Sequence, residues 1–231
     1  MTGQIALIGG NEFRRNCETM DRGLLDLSGP RRRVLILPTA AARQKPDLAA
    51  ENGIRYFQKL NARAEAAMIL DEETARQPSF LSQIQNADLC YFTGGDPVHL
   101  LQTMRDSPAW GIILKHWGNG HMLAGSSAGA MVLGGRQWTP GKGWQEGLGL
   151  LPQITVIPHH ASFASRWDAP RLREALPSAM ILVGIDEATA LVGPPWKVLG
   201  EGEVVFYRED KKEIFRNGQT LPPEVKIRTA G

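Results

Sequence analysis

The segment LAGSSAGA places Gly125, Ser127 and Gly129 in a G-x-S-x-G pattern at the end of an apolar run and just before a predicted helix. A serine on such a tight turn has its hydroxyl pushed into solvent, while the N–H groups that follow face a developing oxyanion. Ala128 and Ala130 keep the turn uncrowded. The plainer reading is a helix start packed on a sheet, with Ser126 or Ser127 only capping it. An alcohol is a weak nucleophile at neutral pH, so catalysis by Ser127 needs a general base. Of the five histidines, His99, His116 and His121 lie in or beside helix-like stretches, where a surface or half-buried role is the simpler account. His159 and His160 end the run ITVIPHH, at the same sheet edge as Ser127 if the strands are parallel. Adjacent strand residues point to opposite faces. One of the two can therefore serve, and the residues alone do not choose.

The base needs a carboxylate to orient it. The run MILVGIDEATALV carries Asp186 and Glu187, and a carboxyl so near a sheet must find a partner or cap a turn, because an unpaired buried charge is expensive. The order Ser, His, acid differs from the Ser, acid, His order of α/β-hydrolases. In YFTGGDP, Gly94 and Gly95 follow another apolar run and free a backbone N–H that complements the N–H of Ala128 as an oxyanion donor. Alone, such a pair is only a tight turn. GGNEF after the first run lacks both G-x-G-x-x-G and a Walker lysine, so nucleotide binding is rejected.

These residues must be held by a scaffold, and short apolar runs ending in Gly, Pro or small residues supply it: IALIGG (5–10), VLILPT (34–39), AAMIL (66–70), LCYFTGG (89–95), MLAGSSAG (122–129), ITVIPHH (154–160) and 180–192. Runs apolar at every position fit strands covered on both faces. Helical stretches alternate with them, as at 45–62, where Leu48, Ile54, Phe57 and Leu60 recur near helical spacing. The alternation predicts a doubly wound α/β fold with a mostly parallel sheet and helices on both faces, whose ligands bind beyond the carboxyl ends of the strands. KVLGEGEVVFYRED with KKEIFRNGQTL reads as a C-terminal β-hairpin, and 138–153 as a loop that borders a site or merely connects. No repeat or linker divides residues 1–231, so one domain is expected.

Composition narrows the partners. The chain has 231 residues with 26 Lys plus Arg against 24 Asp plus Glu, and a net charge of +2 is too small for a nucleic-acid surface. No apolar stretch approaches a membrane span and no secretory signal is visible. Cys17 and Cys90 fit neither a disulfide framework nor a metal knuckle. A cytoplasmic protein without membrane or nucleic-acid partners is expected, either monomer or homodimer.

With these motifs assembled, the chain resembles the dipeptidase E and cyanophycinase family of serine peptidases. The resemblance runs almost end to end, through IALIGG, YFTGGDP, GSSAGAMVLG, VIPHH, GIDEATALV and KVLGEGEVVFYR. It implies a class I glutamine amidotransferase-like, flavodoxin-like fold. By it Ser127 is the nucleophile, His159 the base and Glu187 the orienting acid, with Gly94 or Gly95 and Ala128 as oxyanion donors. It also implies a small peptide as substrate and an acyl-enzyme route that needs no metal or other cofactor. Two departures bear on substrate. The cyanophycinases carry glutamine where this chain has Pro97, and their close arginine cluster after the histidine is replaced by five residues before Arg166. The dipeptidases prefer an amino-terminal aspartate, whose carboxylate calls for a guanidinium fork. Arg166, Arg171 and Arg173 are the candidates, the last two in a helix-like stretch where a solvent-facing role stands beside the functional one. A cyanophycinase-like or isoaspartyl-type peptide hydrolase is the alternative enzyme. A non-catalytic, amidotransferase-like binding module is the alternative of another class, although Cys90 lies in a strand and not at the elbow, against glutaminase chemistry.

Overall fold

The fold was read from a computed structural model, which describes residues 2–163, 168–208, 211–223, 225 and 227–229. Strands β1 (Ile5–Ile8), β2 (Arg33–Leu37), β3 (Arg63–Ala66), β4 (Leu89–Phe92) and β5 (Met122–Ser126) form a parallel array in the order β1-β5-β4-β2-β3. Strands β10 (Thr189–Gly193) and β11 (Lys197–Gly200) extend it antiparallel beyond β1. A second sheet runs in the order β13-β12-β9-β8, from β8 (Ile154–Pro158), β9 (Ile181–Ile185), β12 (Glu203–Tyr207) and β13 (Lys212–Arg216). Its β8 and β9 are parallel, and β12 and β13 make the expected C-terminal hairpin.

The period-2 pleat divides each central strand between two cores. Ala6 and Ile8 of β1 pack with Met20, Leu24 and Leu25 of helix α1 (Glu18–Ser28) and with Tyr56 and Phe57 of α2 (Pro46–Lys59). Ile5 and Leu7 pack on the opposite face, together with residues of α3 (Pro78–Asn86), α4 (Pro97–Met104), α5 (Pro108–Gly118) and α6 (Ala128–Leu133). The doubly wound arrangement is therefore present, and strand ends β1, β4 and β5 lie side by side at one edge. Val156, Val183, Val204 and Phe206 of the second sheet join the same core as Ile5 and Leu7, which fixes the second sheet against the first.

Several local expectations are corrected. The strand expected at 66–70 lies at Arg63–Ala66, an edge strand with alternating exposure that carries no apolar run. The run 180–192 is two strands in different sheets, turning at Asp186–Ala188. Residues 138–153 include a hairpin of β6 (Arg136–Thr139) and β7 (Gly143–Glu146). Leu48 of α2 is exposed, whereas Ala50, Gly53 and Tyr56 supply the buried face with Phe57. Helix α7 (Ala169–Glu174) covers the second sheet.

Candidate active site

Ser127 stands between β5 and α6 with φ 50° and ψ −108°. A non-glycine residue held there stores about 1–3 kcal/mol of strain. The surroundings enforce it: Ser127 N–H donates to Ile8 O at 2.9 Å, and Met131 N–H to Ser127 O at 3.0 Å. The motif glycines are needed for space. A Cβ on Gly125 would overlap the Gly129 carbonyl, and one on Gly129 would lie 2.8 Å from Phe92 O.

His159 reaches this serine from the second sheet, not from a neighbouring strand of the main one. Its Nε2 is 2.6 Å from Ser127 Oγ and its Nδ1 is 3.1 Å from Glu187 Oε1. Glu187 comes from the turn between β9 and β10. With Nδ1–H donating to the carboxylate, Nε2 accepts from the serine hydroxyl, so the two partners fix the tautomer. Gly10, with φ 117°, makes room for the ring, since a Cβ there would fall inside the imidazole. Strand β8 ends at Pro158, so both histidines lie in the turn after it and not in the strand as expected. With His159 at φ 131°, His160 faces Tyr207 and Asp186 instead of Ser127. Burial would raise the Asp186 pKa, but hydrogen bonds from His160 and from the N–H groups of Glu203 and Ala161 hold it below the ordinary carboxylate value.

The glycine loop after β4 separates into two roles. Gly94 N–H donates to Glu12 Oε1 at 2.7 Å, and the other oxygen of Glu12 accepts from Ser126 Oγ at 2.8 Å. Gly94 is thus occupied, and among the described residues Gly95 N–H meets no acceptor. Ala128 N–H opens α6, where the first helical N–H groups have no partner within the helix. Glu12 was not foreseen. It sits in the GGNEF segment, and a lone carboxylate in a glycine-rich strand exit was the available signal.

Two cavities meet at Ser127 and His159. One, of about 650 Å³, is lined by apolar Val98, Met131 and Trp138 and carries Arg43 and Lys142. The other, of about 580 Å³, includes Glu12, Lys45 and Asn52. Arg43 and Lys142 are exposed and have no described carboxylate within ion-pair distance. The β6–β7 segment therefore borders the site. Of the proposed arginines, Arg171 is exposed on α7 and Arg173 is buried, donating to Leu176 O and Ser178 O at 3.2 Å each. Neither lines these two cavities. Arg166 lies outside the described residues. His99 bonds Leu70 O, and His116 bonds Ala87 O and stacks on His121, so these three histidines are structural. Among the described residues no group of three or more His, Cys, Asp or Glu is disposed to hold a metal, and no helix is long and apolar enough to cross a membrane.

Comparison with known proteins decides the family, because the sequence model of Peptidase family S51 matches residues 5–193. The chain belongs to peptidase family S51. It is a serine-type peptidase. Among S51-like relatives, a cyanophycinase of Trichormus variabilis is 29% identical over 219 residues, covering 87% of this chain and 72% of the relative. One from Geminocystis herdmanii is 24% identical over 224 residues, covering 89% and 80%. The crystal structure of a peptidase from an acI-B1 Actinobacterium is 30% identical, with a TM-score of 0.85 over 96% of this chain and 97% of that one. A Listeria monocytogenes EGD-e protein named for peptidase E shares the fold alone, at 16% identity and TM-score 0.63 over 94% and 99%.

Proposed function

We propose that the protein hydrolyses short peptides with an acidic amino-terminal residue, as an aspartyl dipeptidase, through a Ser127–His159–Glu187 triad and an acyl-enzyme. The observation that carries the triad is the continuous chain of contacts, 2.6 Å from Ser127 to His159 and 3.1 Å on to Glu187. As Ser127 Oγ attacks the scissile carbonyl carbon, its proton passes to His159 Nε2. Glu187 orients the ring and stabilises its cation. The oxyanion is received by the N–H groups of Gly95 and Ala128, while Gly94 N–H keeps Glu12. His159 then protonates the leaving amine, and water, activated by the same imidazole, releases the acid and restores Ser127.

The preference for an acidic residue is supported by the composition of the larger cavity. Arg43 and Lys142 supply positive charge and are ion-paired with no described carboxylate, while Asp96, the carboxylate in the same lining, caps helix α4 by accepting from the N–H groups of Val98 and His99. A guanidinium or ammonium facing a substrate carboxylate makes the stronger, charge-assisted class of hydrogen bond. This moves the carboxylate-binding role from Arg171 and Arg173 to Arg43 and Lys142. The likeness to proteins named cyanophycinases favours a second reading, a cyanophycinase-like or isoaspartyl-type peptide hydrolase. Pro97 stands against it, because by the family resemblance a cyanophycinase has glutamine there and a proline side chain offers no hydrogen bond.

Hydrolysis of Asp-Leu, Glu-Leu, Ala-Leu and β-Asp-Leu by the parent enzyme and by Ser127→Ala separates these readings. The proposal expects turnover of Asp-Leu at least tenfold above Ala-Leu in kcat/KM and none in Ser127→Ala. Equal values for Asp-Leu and Ala-Leu sink the acidic specificity, and preferential turnover of β-Asp-Leu gives the second reading.

A further inference from the structure

The tandem histidines and tandem acids are each used twice. On the side away from Ser127, His160 Nε2 lies 2.7 Å from Tyr207 Oη and His160 Nδ1 lies 3.5 Å from Asp186 Oδ1. Asp186 also accepts from Ala161 N–H at 2.9 Å and from Glu203 N–H at 2.8 Å. One carboxylate thereby ties together the turn after β8, the end of β9 and the start of β12. His160 and Asp186 keep 15% and 14% side-chain exposure, so each needs these partners. Gly184 on β9 leaves the space, since a Cβ there would overlap the His160 ring. The Tyr207 phenol, whose pKa burial and Asp186 push up, stays protonated and donates to Nε2.

Between the two chains stands His159, with φ 131°. A non-glycine residue persists in that region only where its surroundings hold it. The Ser127 and Glu187 contacts hold the imidazole, not the backbone. The backbone is held by Phe163 N–H, which donates to His159 O at 3.2 Å, and by the Asp186 and His160 contacts on the next two residues.

We infer that Asp186, His160 and Tyr207 form a positioning chain that fixes the strained turn at His159 and so keeps its Nε2 within hydrogen-bond reach of Ser127. None of the three touches substrate or reacting atoms. The inference rests on the triad reading above. Misplacement by about 1 Å costs on the order of 10²-fold in rate, which sets the expected size of the effect.

The test is the saturating rate at which a fluorophosphonate labels the enzyme, per active site titrated. In that reaction Ser127 Oγ bonds to phosphorus, fluoride leaves, and the serine proton goes to His159. It needs no knowledge of the natural substrate. His160→Phe keeps a ring and loses both polar contacts. His160→Asn restores an amide donor near the position of Nδ1. His160→Phe should label about 10²-fold more slowly, with half-saturating reagent within about twofold of the parent, and His160→Asn should recover most of the rate. A merely structural role would lower Tm without changing the rate per folded site or its recovery. Should His160→Phe fail to fold, Tyr207→Phe deletes a single oxygen from the chain, with a rate about tenfold down expected. Labelling at the parental rate in the folded variant, with Ser127→Ala unlabelled, overturns the positioning chain and leaves the triad. Labelling of Ser127→Ala at the parental rate overturns the triad itself.

Discussion

Replacing Glu187 by Gln removes one charge from the site with little change in shape. Glu187 Oε1 lies 3.1 Å from His159 Nδ1, and the two side chains keep 34% and 23% exposure. At the effective dielectric of about 20 suited to such sites, unit charges about 4 Å apart attract by about 4 kcal/mol. Solvent screening at this exposure reduces the share felt by the imidazolium to about 2 kcal/mol. The amide can also turn its NH₂ toward Nδ1 and favour the tautomer with hydrogen on Nε2, which cannot accept the serine proton. Together these effects raise the barrier by about 3 kcal/mol, or roughly two decades in kcat/KM. A fully buried triad acid replaced by its amide loses more, on the order of 10⁴-fold in kcat, because the amide holds the histidine in the wrong tautomer. The assay is kcat/KM on the preferred dipeptide, with the fluorophosphonate rate as a second readout. A folded Glu187→Gln enzyme within threefold of the parent in both would refute the assignment of Glu187 as the orienting acid.

Gly10→Ala places a methyl inside the His159 ring at φ 117°, so phosphonylation should slow at least tenfold in protein that still folds; an unchanged rate contradicts the placement of His159. Arg43→Ala should raise KM for Asp-Leu about tenfold while leaving Ala-Leu unaffected; equal changes for both peptides exclude Arg43 from carboxylate recognition. Asp21 is fully buried, accepts from Tyr56 Oη at 2.8 Å, and has its pKa pushed from 3.8 to about 7, chiefly by burial. The folded state then keeps a proton that the unfolded state loses, so stability falls as pH rises from about 4 to 7. Asp21→Asn removes this slope, and its Tm relative to the parent should climb across that window, equivalent to at most about 4 kcal/mol. A constant Tm difference from pH 4 to pH 8 rules the buried proton out.

The elbow was legible because its causes are local: small residues around Ser127 are demanded by backbone atoms of Gly129 and Phe92 within a few residues or one strand away. The central strands were legible because both faces are buried, as at Leu89–Phe92. Edge strand β3 was hidden by its exposed Arg63 and Glu65, and the β9–β10 turn by apolar residues on both sides of Asp186–Ala188. That β8 and β9 leave the main sheet depends on pairing with β12, about 20 residues beyond β9, and no local pattern announces such a pairing. Strand alternation could not choose between His159 and His160, because both lie in the turn beyond the end of β8. The resemblance pointed to His159 and Glu187, and those are the two side chains that lie in line with Ser127. Arg171 and Arg173, close to the histidine in sequence, line neither of the two cavities, whereas Arg43, from the loop after β2, lines the larger one. Glu12 escaped because its partners, Gly94 and Ser126, come from two other strand ends.

The central claim is that Ser127 is the nucleophile, and mass spectrometry after exposure to a fluorophosphonate tests it most directly. A single adduct on the peptide containing Ser127, absent from Ser127→Ala, is the expected result. An adduct that persists in folded Ser127→Ala, or no adduct in an enzyme that hydrolyses Asp-Leu, would contradict it.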